Sequence, residues 1–376
     1  MTRNSYLCRL IAEHPDTWRM ELEALSVNVK EDPPLAIFNY GLLANFTNPV
    51  VREARGIIIR LDTLDVVAWP FTKFCNIHEP GAAVDLENFD WRNSRCQEKI
   101  DGSIIKLFFN PIKKKWQFAT NSTIDAADAT AAMGGTFADL IQEADNFGKI
   151  PFKTLNPDET YIFELVSPFT QVVVHYEYTH LFHIGTRNNI TGEERTADIG
   201  IEKPEEYPFR TLESCMCAAE HLNDGAAHVR HEGFVVVDPA WHRVKIKSPE
   251  YFAMHRLSSN NTFKKERVLK MLCEDKMPVE DLVKNFPNYS VIFRYYSYRV
   301  EELLWNITRY IYYVRNLYRE LGYNRAALAA VISKHRYASF GFSSLDNTKT
   351  AEELLSKISF SVFCRMIPDY TPEKIP

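Results

Sequence analysis

The sequence is poor in the features that would place it outside the packed globular class. Gly (14) and Pro (19) are neither abundant nor periodic over 376 residues, which excludes collagen-like and low-complexity chains. A charged fraction of 25% and a net charge of −5 exclude disorder as the main state. No run of about 18 apolar residues occurs, so no membrane span is expected. The cysteines are seven, at 8, 75, 96, 215, 217, 273 and 364. They form no CxxC pair, so neither a zinc site nor a disulfide framework is expected. Reduced thiols fit a cytoplasmic location. The opening residues turn polar and acidic too soon for a signal peptide, which is an expectation in the same direction.

What the sequence does contain is enough apolar material for a sizeable core: 45% hydrophobic residues, 13% aromatic. The length suggests two to three domains, and the charge is unevenly spread. Residues 1–251 carry 25 Lys and Arg against 36 Asp and Glu, a net of −11. Residues 252–376 carry 19 against 13, a net of +6. An acidic body with a basic C-terminal unit is the expected organisation, with a polyanion as candidate partner for the basic unit.

The pattern of elements changes at the same place. Upstream, short runs rich in Val, Ile and Phe end at Gly, Pro, Asn or Asp and read as strands over 56–62, 66–71, 103–109, 116–120, 160–166, 180–186, 233–238 and 243–247. Asn110 to Lys114 reads as a hairpin turn. Helices are expected over 124–133, 135–147 and 211–223, the last with Thr211 as N-cap. The sequence therefore predicts an α+β, mostly antiparallel domain over 1–251. Downstream, apolar residues at 300, 303, 304, 307, 311, 314, 317 and 321 follow helical spacing. Gly322 stands where a C-cap would. With helices also expected over 325–336 and 350–366, the 252–376 unit is predicted to be all-helical.

The chemistry concentrates in Glu98-Lys99-Ile100-Asp101-Gly102-Ser103, which leads into a strand. KxDG alone is a weak pattern, since a Lys–Asp pair in a turn before a Gly is common. Its company makes it informative. Arg55-Gly56 opens a strand and Lys73-Phe74 follows one. Phe163-Glu164-Leu165 sets a carboxylate inside an apolar strand, where it needs a partner. Glu232-Gly233-Phe234 opens another strand, and Lys245 and Lys247 alternate onto one strand face.

In this order and spacing the residues resemble the motifs of the covalent nucleotidyltransferases, the superfamily of ATP-dependent ligases and capping enzymes. Lys99 to Gly102 is similar to the nucleophile motif. Phe163-Glu164, Glu232-Gly233 and Lys245-Ile246-Lys247 are similar to later motifs. With Phe38-Asn39-Tyr40, Arg55-Gly56 and Lys73-Phe74 upstream and a helical C-terminal unit, the layout resembles the RNA ligase 1 family of bacteriophage T4. DNA ligases and capping enzymes usually carry Arg five residues after the nucleophile, where this chain has Ile104, and usually continue into an OB-fold. The chain also departs from the family it resembles, with Ala119 and Asn121 at two positions that the phage family fills with Lys and Cys75 at its second aromatic.

The resemblance implies an adenylation domain over 1–251 and a helical domain over 252–376. It implies an ATP-dependent RNA ligase that joins 5′-phosphate and 3′-hydroxyl ends through lysyl-AMP, with a possible part in tRNA repair and a phage-like origin. Lys99 would be the nucleophile. Tyr40, Arg55, Lys73, Glu98, Asp101, Gly102, Glu164, Glu232, Lys245 and Lys247 would bind the nucleotide. Glu232 and Glu164 would hold Mg²⁺, with Mn²⁺ as substitute. The partners implied are single-stranded RNA or tRNA ends, with a monomeric protein and no membrane. A free lysine, with a pKa of about 10.4, must lose its proton to attack. Partial burial with Lys245, Lys247 and Mg²⁺ nearby is expected to lower that pKa. The rivals are another superfamily enzyme, such as a DNA ligase or capping guanylyltransferase, and an RNA-binding relic without chemistry.

The C-terminal arginine–tyrosine mixture (Arg294, Tyr295, Tyr296, Tyr298 and Arg299, then Arg309, Tyr310, Tyr312, Tyr313, Arg315, Tyr318 and Arg319) fits either RNA contact or ordinary helix packing. His78 and His231 flank motifs and are assigned no role.

Overall fold

A computed structural model describes residues 5–371 apart from 42–43, 78, 80–81, 83–85, 132–133, 225, 227–228, 258–263, 274–276 and 346–348. The chain divides into two units, Met1–Asn261 and Thr262–Pro376. The expected boundary at 251/252 falls inside the helix Pro249–Leu257, whose Tyr251 is buried against the first unit.

The first unit is built from three antiparallel sheets. One runs β1 (Val27–Asp32), β2 (Leu35–Tyr40), β3 (Arg55–Arg60), β4 (Asp65–Ala68) in sequence order. Its β2 and β3 are almost wholly buried Leu, Ala, Ile and Phe, and the helices Tyr6–Glu13 and Trp18–Ala24 pack Leu7, Ile11, Trp18 and Leu22 into the same core. The buried Glu53 carboxylate ties the first helix down, accepting from Ser5 Oγ at 2.9 Å and Leu7 N at 2.8 Å. β5 (Arg95–Glu98) leads to Lys99.

The second sheet has the order β10-β9-β8-β6-β7. Its strands are β6 (Ser103–Asn110), β7 (Lys115–Thr120), β8 (Glu159–Val166), β9 (His180–Asn188) and β10 (Glu194–Arg195). β8 is buried along its whole length, as expected of a central strand with both faces covered. The β6–β7 turn forms as read, with Asn110 Oδ1 accepting from Ile112 N and Lys113 N. The third sheet, in the order β11-β5-β12-β13, adds β11 (Glu206–Tyr207), β12 (Gly233–Val237) and β13 (Arg243–Lys247).

The helix expected over 124–133 does not form over the described residues 124–131, where Ala126–Asp128 makes a 3-10 turn started by the Asp125 carboxylate on Ala127 N. Ala129 is extended, and Thr130 bridges to Thr136. The two helices expected over 135–147 and 211–223 are Phe137–Glu143 and Leu212–Glu220, each opened by a threonine capping box.

The described residues of the second unit contain helices and no strand. Ser290–Glu320 is one continuous helix whose inward stripe includes Phe293, Leu303, Ile307, Ile311 and Val314. The segment expected as one helix over 350–366 is two, Ala351–Leu355 and Phe360–Met366. The chain is thus α+β, a mostly antiparallel unit followed by a helical one. No described helix is long and apolar enough to cross a membrane.

Candidate active site

The end of β5 and the start of β6 place Lys99 at the wall of a cavity of about 690 Å³. Tyr40, Arg55, Glu98, Gly102, Glu164 and Lys245 line it with Lys99. They come from strands of all three sheets, which is how residues from 40 to 245 meet. The Lys99 backbone N donates to Gly233 O at 2.8 Å, pinning the Lys99 segment to the Glu232-Gly233 segment.

Glu232 is 2% exposed and does not line the cavity. Its Oε2 lies 2.7 Å from Lys99 Nζ and its Oε1 2.9 Å from Lys247 Nζ. One carboxylate therefore holds both lysines, and both its oxygens are committed. Burial works against the Lys99 ammonium, but Glu232 and then Glu164 outweigh it and hold the Lys99 pKa above the ordinary lysine value. The expected lowering rested on Lys245, Lys247 and a bound Mg²⁺ beside Lys99, whereas its nearest partner here is the Glu232 carboxylate. The depression falls on Lys245 instead, through burial first and then Arg55, Lys99 and Lys73.

Asp101 and Gly102 build the loop behind Lys99. Asp101 Oδ2 accepts from Val173 N at 2.9 Å and Val174 N at 2.8 Å. Its Oδ1 accepts from the Tyr251 hydroxyl at 2.7 Å. Burial pushes the carboxyl up to about 6. Gly102 faces the main chain of β8, and a Cβ there would overlap the Leu165 carbonyl oxygen. Since backbone cannot yield like the end of a side chain, Gly102→Ala is expected to cost about 1–3 kcal/mol, read as a lower denaturation midpoint at unchanged m-value.

Arg55 is half-buried and lines the cavity, and its buried Nη1 has no hydrogen-bond partner among the described residues. Its guanidinium carbon lies 5.0 Å from the Phe74 ring centroid, and Lys245 Nζ lies 4.8 Å from the same centroid. A buried donor without an acceptor beside a second cation is an anion site in its chemistry. Lys73 is set apart. It donates to Phe74 O at 3.3 Å, pairs with Glu79 at 3.7 Å, and lines a neighbouring hollow of about 290 Å³ with Arg52 and Thr72.

Glu164 opens onto the cavity and has no hydrogen bond among the described residues. Burial pushes it up to about 7 against the pull of Lys99. Its oxygens fit a divalent cation, whose charge would compensate the buried carboxylate. Among the described residues no group of three or more His, Cys, Asp or Glu could hold a metal. Glu232 reaches a cation only by releasing a lysine. Most ligands of such a cation would thus come from outside the protein.

Sequence reasoning missed Tyr251, Arg243 and the Thr120–Thr123 stretch, all of which meet the site. Tyr251 follows Ser248-Pro249, a serine cap with proline at the first helical position, and Ser248 Oγ accepts from Tyr251 N at 3.1 Å. That helix start was legible, but its fold-back onto Asp101 was not. Tyr251→Phe removes one hydrogen bond to a buried carboxylate and is expected to cost about 1.5–3 kcal/mol of stability, measured by chemical denaturation. His231 Nδ1 pairs with Glu98 at 2.8 Å, and His78 lies outside the described residues.

Residues 53–251 match a family model described as RNA ligase. A protein named as a bifunctional polynucleotide kinase/RNA ligase in Autographa californica nuclear polyhedrosis virus is 30% identical over 56% of this chain and 32% of its own length. A protein named as an RNA ligase in Thermovibrio ammonificans is 30% identical over 58% of this chain and 57% of its own. An RNA ligase of Rhodothermus phage RM378 is 25% identical over 70% of this chain and 73% of its own. The chain thus spans less than two thirds of the first two relatives. With more than half of its residues inside that match and Lys99 set in the cavity described above, the chain belongs to the RNA ligase family.

Proposed function

We propose that the protein is an ATP-dependent RNA ligase acting through a covalent lysyl-AMP intermediate. The observation that carries this reading is Lys99 held by buried Glu232 at the wall of a cavity that also exposes Arg55 and Lys245. A lysine so placed meets the α-phosphate of a nucleotide whose remaining phosphates face the two cations.

In the first step Lys99 Nζ attacks the α-phosphorus of ATP. A P–N bond forms, the bond to the bridging oxygen breaks, and pyrophosphate leaves. Lys99 starts as an ammonium paired to Glu232, so attack requires it to give up a proton and that pairing. Lys247 remains to hold Glu232. Arg55 and Lys245 offset the charge on the departing phosphates. In the second step a 5′-phosphate oxygen of RNA attacks the same phosphorus, breaking the P–N bond and giving an AMP-capped end. In the third a 3′-hydroxyl attacks the RNA phosphate and AMP leaves. A divalent cation, Mg²⁺ or Mn²⁺, would be held by Glu164 with phosphate oxygens and would supply charge neutralisation there. Asp101 and Gly102 shape the loop presenting Lys99, and Tyr40 and Glu98 contribute to the nucleotide wall. Lys73, in the adjoining hollow, is assigned to a phosphate beyond the α position.

RNA is the substrate class supported by the family and by the named relatives. The second unit adds a surface that fits it. Tyr298, Trp305, Tyr312 and Tyr313 are all more than half exposed, and Arg309 lies 4.4 Å from the Trp305 ring centroid. Rings and guanidinium groups of that kind stack on unpaired bases, whereas Tyr296 and Tyr310 of the same helix are core. The single-stranded ends of a cleaved tRNA would present such bases.

The test uses RNA with a labelled 5′-phosphate and a 3′-hydroxyl, ATP and Mg²⁺. Phosphatase-resistant joined or circular product, absent without ATP, is the expected result. DNA sealed in preference to RNA, or a cap transferred from GTP, would replace this reading with one of the rival superfamily activities.

A further inference from the structure

Lys106 belongs to none of the motifs, yet it is the least ordinary lysine in the first unit. It sits in the middle of β6 at 0% exposure, opposite Ala119 on β7 and Ile162 on β8. No carboxylate pairs with it among the described residues. Its one hydrogen bond goes to the carbonyl oxygen of Gly56. An amine in such a place is costly, and an apolar chain of similar length would be cheaper. Burial alone brings it down to about 7.

Its surroundings say what the amine does there. Gly56 turns with φ +85, and a Cβ at that position would lie 2.5 Å from Asn121 O and 2.8 Å from Lys106 Nζ. Lys106, Gly56 and Asn121 therefore interlock without spare room. Arg55, the residue before this turn, lines the cavity with its buried Nη1 unpartnered, and Asn121 lines that cavity too. A donor from below is the one side-chain hydrogen bond that the Gly56 carbonyl receives among the described residues.

We infer that Lys106 is a positioning residue that clamps the Gly56 turn against the Asn121 strip and so aims the Arg55 guanidinium at the phosphate end of the nucleotide. This rests on the ligase reading, in which that end is the triphosphate of ATP. The ammonium does not touch substrate; it acts through Arg55.

The experiment compares the parent protein, Lys106→Met, Arg55→Ala and the double variant. ATP KM and single-turnover adenylylation are measured alongside thermal unfolding and calorimetric binding of inorganic triphosphate. Lys106→Met is expected to unfold at or above the parent temperature and yet raise the ATP KM and weaken triphosphate binding about tenfold, the scale of a misplaced contact group. In the Arg55→Ala background the same change is expected to cost less than about twofold, because coupled residues are non-additive. Parent-like KM and triphosphate binding in Lys106→Met, or equal losses in both backgrounds, would overturn the inference. Should Lys106→Met fold poorly, Lys106→Gln, which keeps polarity but is too short to reach Gly56, is read in its place. A parent that binds triphosphate but forms no adduct counts against the ligase reading alone. One that binds no triphosphate counts against both.

Discussion

Lys99→Ala is expected to form no covalent adduct with ATP at any nucleotide concentration, with joining of 5′-phosphate RNA falling to background. The reason is chemical. Among Lys99, Lys245 and Lys247, Lys99 is the one fixed to both the Glu232 carboxylate and the Gly233 carbonyl. Lys245 is buried among cations, and Lys247 is turned to the far oxygen of Glu232. The loss exceeds about 10³-fold, as when a covalent nucleophile is removed. The third step needs no lysine nucleophile, so the same variant should still seal RNA that already carries the AMP cap. Adduct formation by Lys99→Ala would move the nucleophile elsewhere. Failure on pre-capped RNA would mean that the substitution damages the whole cavity.

Glu232→Ala has the second-largest effect, and on stability as well as rate. It leaves two ammonium groups facing each other around a 2% exposed position. Removing one partner from a buried ionic cluster costs about 3–5 kcal/mol, observable as a lower denaturation midpoint. For the rate two influences oppose. Loss of the anion lets the Lys99 pKa fall, which frees the nucleophile. The lysine also loses the contact that orients it, and misplacement costs about 10² in rate. Orientation should win, so single-turnover adenylylation is expected to fall about a hundredfold. Adding Lys247→Met to Glu232→Ala removes the stranded cation. Part of the stability should then return and the rate should not. Recovery of both together would show that Glu232 serves the fold alone.

Most residues of the site were legible because they are polar groups at strand ends, where a sequence pattern changes abruptly: Arg55-Gly56, Lys99 to Gly102 and Glu232-Gly233 have that form, and Glu164 was legible as a carboxylate inside the apolar strand β8. The long apolar strands were legible for a related reason: β8 is buried throughout, and β6 buries its apolar centre and leaves no residue fully exposed. β1 was not, since VNVKED buries one residue in six and is recognisable only by its partner β2. β5 was not, since RCQE owes its form to pairing with β12 and β11 on either side. The alanine-rich stretch 124–133 favours helix on propensity, but the Thr130–Thr136 bridge prevails there.

The charge relations were the least legible part. Sequence spacing puts Lys245 and Lys247 on one face of β13, which suggests one shared role. The structure divides them: Lys245 reaches the cavity and Lys247 serves Glu232. That a single carboxylate would hold Lys99 and Lys247 together depends on the β12–β13 register, with Gly233 opposite Lys247. Lys106 could be seen in the sequence only as a polar break in an apolar strand.

The most direct measurement is intact-mass analysis and denaturing electrophoresis of nucleotide-free, folded protein after incubation with Mg²⁺ and α-labelled ATP, with GTP in parallel. The account predicts one adenylyl group per chain, from ATP only, stable to denaturation and mapped to Lys99. Folded protein that binds ATP but carries no adduct, or carries it on another residue, would contradict it.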